Sequence, residues 1–148
     1  MKSNHPMGFG CDAGDTDYGP KPFAANITRR ARKNRNFRTA LWTGNHLQMT
    51  LMCIPVYGEI GVEVHPDTDQ FIRVEAGQAI ARMGDCREEL DVQRCLGVGD
   101  AVFVPSGTWH NVMNAGNCPL KLSSIYAPPH HPRGTVHRTK SDAEHVKY

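Results

Sequence analysis

Two stretches decide the fold: Gly58–Gly77, GEIGVEVHPDTDQFIRVEAG, and Gly99–Asn114, GDAVFVPSGTWHNVMN. In the first, Glu63 and His65 stand two residues apart, so on a β-strand both side chains leave the same face. Pro66-Asp67-Thr68 carries turn chemistry, and a second strand is predicted to begin near Gln70. Closure of that hairpin brings Glu63, His65 and Gln70 to one small volume. His110, from the second stretch, supplies a fourth donor. Two imidazoles, a carboxylate and an amide carbonyl suit a divalent metal. Either histidine alone reads more simply as a half-buried β-domain residue. The two together, each framed by glycines and proline, point to a metal site.

The two stretches resemble the paired signature motifs of the cupin superfamily. The second motif is matched throughout, by Gly99, Pro105, Gly107, His110 and Asn114. The first departs twice: Glu63 stands where a histidine is usual, and Gln70 where a glutamate is usual. The carboxylate is thus moved to another vertex of the site, with formal ligand charge unchanged. Beyond the motifs, Leu41-Trp42-Thr43-Gly44 and Tyr126-Ala127-Pro128-Pro129 extend a likeness to small bacterial cupins described as mannose-6-phosphate-isomerase-like. The resemblance implies an all-β double-stranded β-helix, a jelly-roll barrel holding a divalent ion (Zn, Mn, Fe, Ni or Co) near one open end. It also implies a homodimer, to which an N-terminal strand would contribute.

Length and composition agree with one compact domain. The chain has 148 residues and a formal charge of +2, with no apolar run long enough to cross a membrane. No nucleic-acid partner is implied by the charge balance. Met1–Gly19 lacks an apolar core of the secretory type, so a cytoplasmic location is expected. Five well-separated cysteines without a Cys-x-x-Cys pair suggest reduced structural thiols.

Residues 1–21 read as a flexible lead, 22–137 as the barrel, and 138–148 as a tail with a short helix capped at Ser141. Phe23–Ile27 reads as an edge strand and the basic run from Arg29 to Arg35 as a solvated turn or short helix. Strands are predicted at Phe37–Trp42, Leu47–Ile54, Gln70–Val74, Gln78–Met83, Ala101–Val104, Trp109–Val112 and Leu120–Tyr126. Leu47–Ile54 is expected to set polar groups on one face and Met and Leu on the other. His130 and His131 read as parts of a surface loop stiffened by proline.

Three functions are compatible with such a site. Metal-assisted isomerisation of a small sugar or sugar phosphate comes first and needs a base, for which His137, Lys121 and Tyr126 are the candidates. Arg38 and Arg133 are the candidates for meeting a substrate phosphate. Dioxygenase or lyase chemistry at a two-histidine, one-carboxylate set is the alternative. A non-catalytic module binding a small molecule is the third, because one fold hosts many activities.

Overall fold

A computed structural model describes residues 17–145. Its elements run α1 (Ile27–Lys33), β1 (Arg38–Thr43), β2 (Gln48–Ile54), β3 (Asp69–Ala76), β4 (Ala79–Gly84), β5 (Val92–Leu96), β6 (Ala101–Val104), β7 (Trp109–Asn114), β8 (Leu120–Ala127), β9 (Val136–His137) and α2 (Lys140–Glu144). Six strands form one antiparallel sheet in the order β6-β3-β8-β2-β1-β9, and three form a second in the order β5-β4-β7. Two sheets with these antiparallel crossovers enclose a jelly-roll interior, the architecture expected of a double-stranded β-helix.

Period-two alternation assigns the inward side chains. On β2 they are Gln48, Thr50, Met52 and Ile54, which stand in register with Tyr126, Ser124, Leu122 and Leu120 of β8. Gln70, Ile72 and Val74 of β3 continue these rows. β2 and β8 change from polar to apolar after Thr50 and Ser124, and β3 one step earlier, after Gln70, where Ile72 stands beside Ser124. The apolar half, with Ile54, Ile72, Val74, Leu120 and Leu122 at its centre, is the main core. Burying each such side chain contributes about 1.5–3 kcal/mol. The polar half is the floor of the functional site.

The outer face of β2 is covered as well. Leu41 and Leu51 pack with Ala31 of α1, with Phe23, Ile27 and Met49 alongside. The expected division of β2 into one polar and one apolar face is therefore corrected: α1 buries the outside, and the inside is polar only over Gln48 and Thr50. Beneath the helix, the buried Glu75 carboxylate accepts hydrogen bonds from Thr28 Oγ1 (2.7 Å), Ser123 Oγ (2.6 Å) and Arg73 Nη1 (3.1 Å). A buried charge met on this many sides locks the helix to the sheet.

Phe23–Ile27 is not an edge strand. It is an irregular lead into α1, and Phe23 stacks on Tyr18 with ring centroids 4.4 Å apart. The basic run is helical, with Asn26 as its N-cap, and Arg30 lies over both rings. The flexible lead read over 1–21 falls outside the described residues for 1–16. Its last residues are anchored: Asp17 is buried, and its carboxylate accepts from Thr43, Gly19 and Gly134. At the other end, Thr139 rather than Ser141 caps α2, in a capping box with Asp142. Among the described residues no helix is long and apolar enough to cross a membrane.

Candidate metal centre

The segment bearing Glu63 and His65 does not form a hairpin with β3. It lies along β7 instead. Glu63 and His110 exchange both backbone hydrogen bonds, N–H to O at 2.9 Å each way, and Ile60 N–H donates to Val112 O at 2.9 Å. Directly opposed residues of an antiparallel pair project to the same face. Pairing alone therefore sets the Glu63 carboxylate beside the His110 imidazole. The turn before β7 completes the arrangement: Gly107 donates its N–H to His65 O at 2.9 Å. Gly107 has φ +82°, a backbone region open chiefly to glycine, so Pro105-Ser106-Gly107 needs that residue for this turn. Asn114, the last residue of the motif, closes the far end of β7 by donating to Ile54 O and Cys118 O.

Glu63 Oε2 stands 3.4 Å from His65 Nε2 and 3.5 Å from His110 Nε2. One ligand atom from each of the three residues lies within 4.8 Å of the others. His65 and His110 are buried, and neither Nε2 makes a hydrogen bond. His110 Nδ1 lies 3.0 Å from Thr108 O, a contact only a protonated Nδ1 can make, so in the neutral ring Nε2 carries the lone pair. An Nε2 lone pair facing a carboxylate oxygen needs a proton or a metal ion between them. Burial alone would raise the Glu63 pKa, but the facing His110 and His65 rings outweigh it and hold the carboxylate well below its usual range. An anionic oxygen and two imidazole nitrogens, buried and mutually unsatisfied, fit a divalent ion.

Gln70 lies on β3 between Val104 and Tyr126. Its Nε2 donates to Ser124 Oγ at 2.8 Å, whereas its Oε1 is buried and makes no hydrogen bond. The amide is thus fixed with its carbonyl as the uncommitted end.

The three candidate bases are placed differently. Lys121 points out of the barrel, donating from Nζ to Asn34 O at 2.5 Å. Tyr126 is fully buried among the inward rows, and burial pushes its phenol up, so it stays protonated. His137 is buried on β9, with Nδ1 3.2 Å from Arg38 Nη1. Arginine only donates, so this Nδ1 accepts and the ring is neutral; burial, then Arg38, lowers its pKa. Of the two arginines, Arg133 donates to Gly19 O and Asp17 O and is used in anchoring the chain. Arg38 is buried inside the barrel.

His130 and His131 are not surface residues on a free loop. His131 is 7% exposed. The His130 ring lies 4.3 Å from His65 and 5.7 Å from Tyr126, and the His131 ring 5.1 Å from Tyr126. Gln48 holds them there, accepting from His130 N–H (3.2 Å) and His131 N–H (3.0 Å) and donating to His131 O (2.8 Å). Burial, then Arg38, pushes the His131 pKa down to about 2. Gln48 and Thr50, polar residues at i, i+2 in an inward row, fit a wet interior already in the sequence; their link to His130 and His131 is what the sequence does not show. A cleft of about 690 Å³ beside α1, lined by Arg29, Arg30 and Lys33, lies outside the barrel and shares no residue with this cluster.

Comparison with known proteins agrees with the geometry. Residues 50–126 match the family model for the cupin domain. The chain is 58% identical over 127 residues to the uncharacterized protein YrkC of Bacillus subtilis (strain 168), covering 86% of this chain and 68% of that one. It is 37% identical over 115 residues to the uncharacterized protein L612 of Acanthamoeba polyphaga mimivirus, covering 77% and 70%. The crystal structure of BH2720 from Bacillus halodurans superposes with a TM-score of 0.88 at 54% identity, over 89% of this chain and all of that one. With the matched model spanning both the Glu63–His65 and the His110 segments, the chain belongs to the cupin domain family.

Proposed function

We propose that the chain binds a divalent metal through Glu63, His65 and His110, with Gln70 Oε1 as a fourth donor. There it acts on a small oxygenated molecule in the manner of a sugar or sugar-phosphate isomerase. The observation that carries this reading is the trio of mutually close ligand atoms, two of them buried imidazole nitrogens without hydrogen bonds. A bound ion would supply Lewis acidity to polarise a substrate carbonyl.

Proton transfer would fall to side chains at the same end of the barrel. His130 is the best placed: its ring adjoins His65, and burial, then His65, lowers its pKa, so at neutral pH it is a proton acceptor. Tyr126 serves as a neutral hydrogen-bond donor in the floor. His137 acts behind Arg38 rather than on substrate.

A second reading is oxygen chemistry, favoured by the composition of the donor set: two histidines and one carboxylate suit ferrous iron. Metal analysis of protein purified without added metal, for wild type, His65→Ala and His110→Ala, tests the shared premise. Each variant should lose most of its metal, and full retention in either refutes the ligand assignment. Solvent hydrogen exchange into C1 or C2 of a sugar or sugar-phosphate panel then supports isomerisation. Iron with oxygen uptake on diketones or phenols supports the second reading, and tight metal with neither activity leaves a binding module.

A further inference from the structure

Arg38 is 5% exposed and lies on β1 between Met52 of β2 on one side and His137 of β9 on the other. No other lysine or arginine is buried among the described residues. Its Nη1 meets His137 Nδ1, its guanidinium lies 5.3 Å from the Phe37 ring centroid, and its Nε is buried without a hydrogen bond. None of the described carboxylates forms an ion pair with it. The other buried acids are engaged elsewhere: Asp17 by Thr43, Gly19 and Gly134, and Glu75 by Arg73, Thr28 and Ser123.

A buried cation with no anion beside it among the described residues is costly, by several kcal/mol, and one bond to a neutral imidazole does not offset that. Packing gives no reason for the charge, since Met52 and Phe37 would accept an apolar neighbour equally well. The position is connected to the metal centre. Arg38 Nη1 meets His137, whose ring centroid lies 6.4 Å from that of His131; the His131 ring lies 4.7 Å from His130, and the His130 ring 4.3 Å from His65.

Resting on the metal-site reading above, we infer that Arg38 recognises a carboxylate on the small molecule handled at the metal centre. The ligand would reach from the Glu63–His65–His110 cluster to the guanidinium Nε. A carboxylate matches a single guanidinium in charge and accepts from its planar edge. A dianionic phosphate would need a second buried cation, and among the described residues there is none.

The test uses full-length protein loaded with zinc, titrated with malonate, its uncharged analogue malonamide, or inorganic phosphate. Binding is followed by calorimetry and by the Nε–H resonance of Arg38, and bound zinc is measured after each titration. Malonate should shift that resonance and bind at least about tenfold more tightly than malonamide, the order expected of hydrogen bonds to a charged group. Arg38→Gln should weaken malonate by about 10- to 100-fold with zinc content unchanged, and Arg38→Lys should fall between. If Arg38→Gln does not fold, the wild-type resonance still decides. Equal binding of malonate and malonamide, full affinity in folded Arg38→Gln, or a shift with phosphate and none with malonate would overturn the inference. Failure of wild type to hold any metal would sink the metal reading alone. Acetate added to metal-free protein then decides for Arg38, a shift of its Nε–H supporting the inference and no shift overturning it.

Discussion

Replacing Gln48 with leucine tests how the loop bearing His130 and His131 is held over the metal centre. Gln48 is fully buried and makes four hydrogen bonds, three of them to the backbone of residues 130 and 131. Leucine has nearly the same volume, so cavity formation contributes little. What is lost is specific. His131 N–H and His131 O are stranded in the interior, and the longer 3.2 Å bond to His130 N–H, at a partly buried site, is replaceable by water. Two stranded groups at about 1–3 kcal/mol each, less the transfer gain of leucine, give a destabilisation of about 3 kcal/mol. For a domain of this size that lowers the melting temperature by roughly 10 °C. Urea unfolding of metal-free protein reads the free energy, and metal titration reads the site. Gln48 supplies no ligand, so metal stoichiometry should be unchanged in the folded variant. A midpoint within error of wild type would mean that the loop is held by other contacts and that Gln48 is incidental. Loss of metal would mean the three-residue cluster depends on that loop.

Gln70→Glu should tighten manganese or zinc by about tenfold or more, because the uncommitted carbonyl oxygen becomes a charged donor; isothermal titration giving equal affinities would place Gln70 outside the ligand shell. Chelation of the ion should lower the melting temperature of wild type and leave His110→Ala unmoved, since a ligand held about 100-fold above its Kd adds about 2.7 kcal/mol to the folded state alone. Metal-free protein should lose stability on acidification. His131 is held at about 2 when folded against about 6.5 when unfolded, so between those values the unfolded chain binds more protons. Its contribution is complete above pH ~6.5 and falls by about 2 kcal/mol by pH 5. Urea midpoints across that range should show the slope, and His131→Gln should flatten it.

Most strands of the barrel were legible because period-two alternation and turn residues mark them, and because Gly99, Pro105, Gly107, His110 and Asn114 keep their spacing; their order in the two sheets was not. Glu63, His65 and His110, which the fold brings together, were legible as candidates for the same reason, although not the way they meet. Adjacent turn chemistry at Pro66–Thr68 suggested a local hairpin. The backbone instead pairs Glu63 with His110, 47 positions away, and no local signal reports so distant a partner. What helix α1 covers was similarly hidden. The run from Arg29 to Arg35 reads as a solvated turn or short helix, and no local signal shows that Ile27 and Ala31 cover Leu41 and Leu51.

His130 and His131 show the stronger limit, because their environment is created by a residue 82 and 83 positions earlier. Proline on both sides of the pair predicts an irregular backbone, and the backbone is irregular, but irregular backbone is compatible with burial when its polar groups are met. Gln48 meets them. Tyr126 and Gln70 stand level with Gln48 on the adjoining strands, and Ser124 level with its inward neighbour Thr50, and together they mark where the interior stops being a hydrocarbon core. A polar residue at an inward position of one strand is ambiguous, whereas the same change on three neighbouring strands defines a level in the barrel. Near that level the protein buries Arg38, the one buried lysine or arginine among the described residues, and histidines whose pKa burial lowers, together with a carboxylate that stays ionised. Below it, the inward residues of β2, β3 and β8 are apolar (Met52, Ile54, Val74, Leu120 and Leu122), so the polar groups of the interior gather at the end that holds Glu63, His65 and His110.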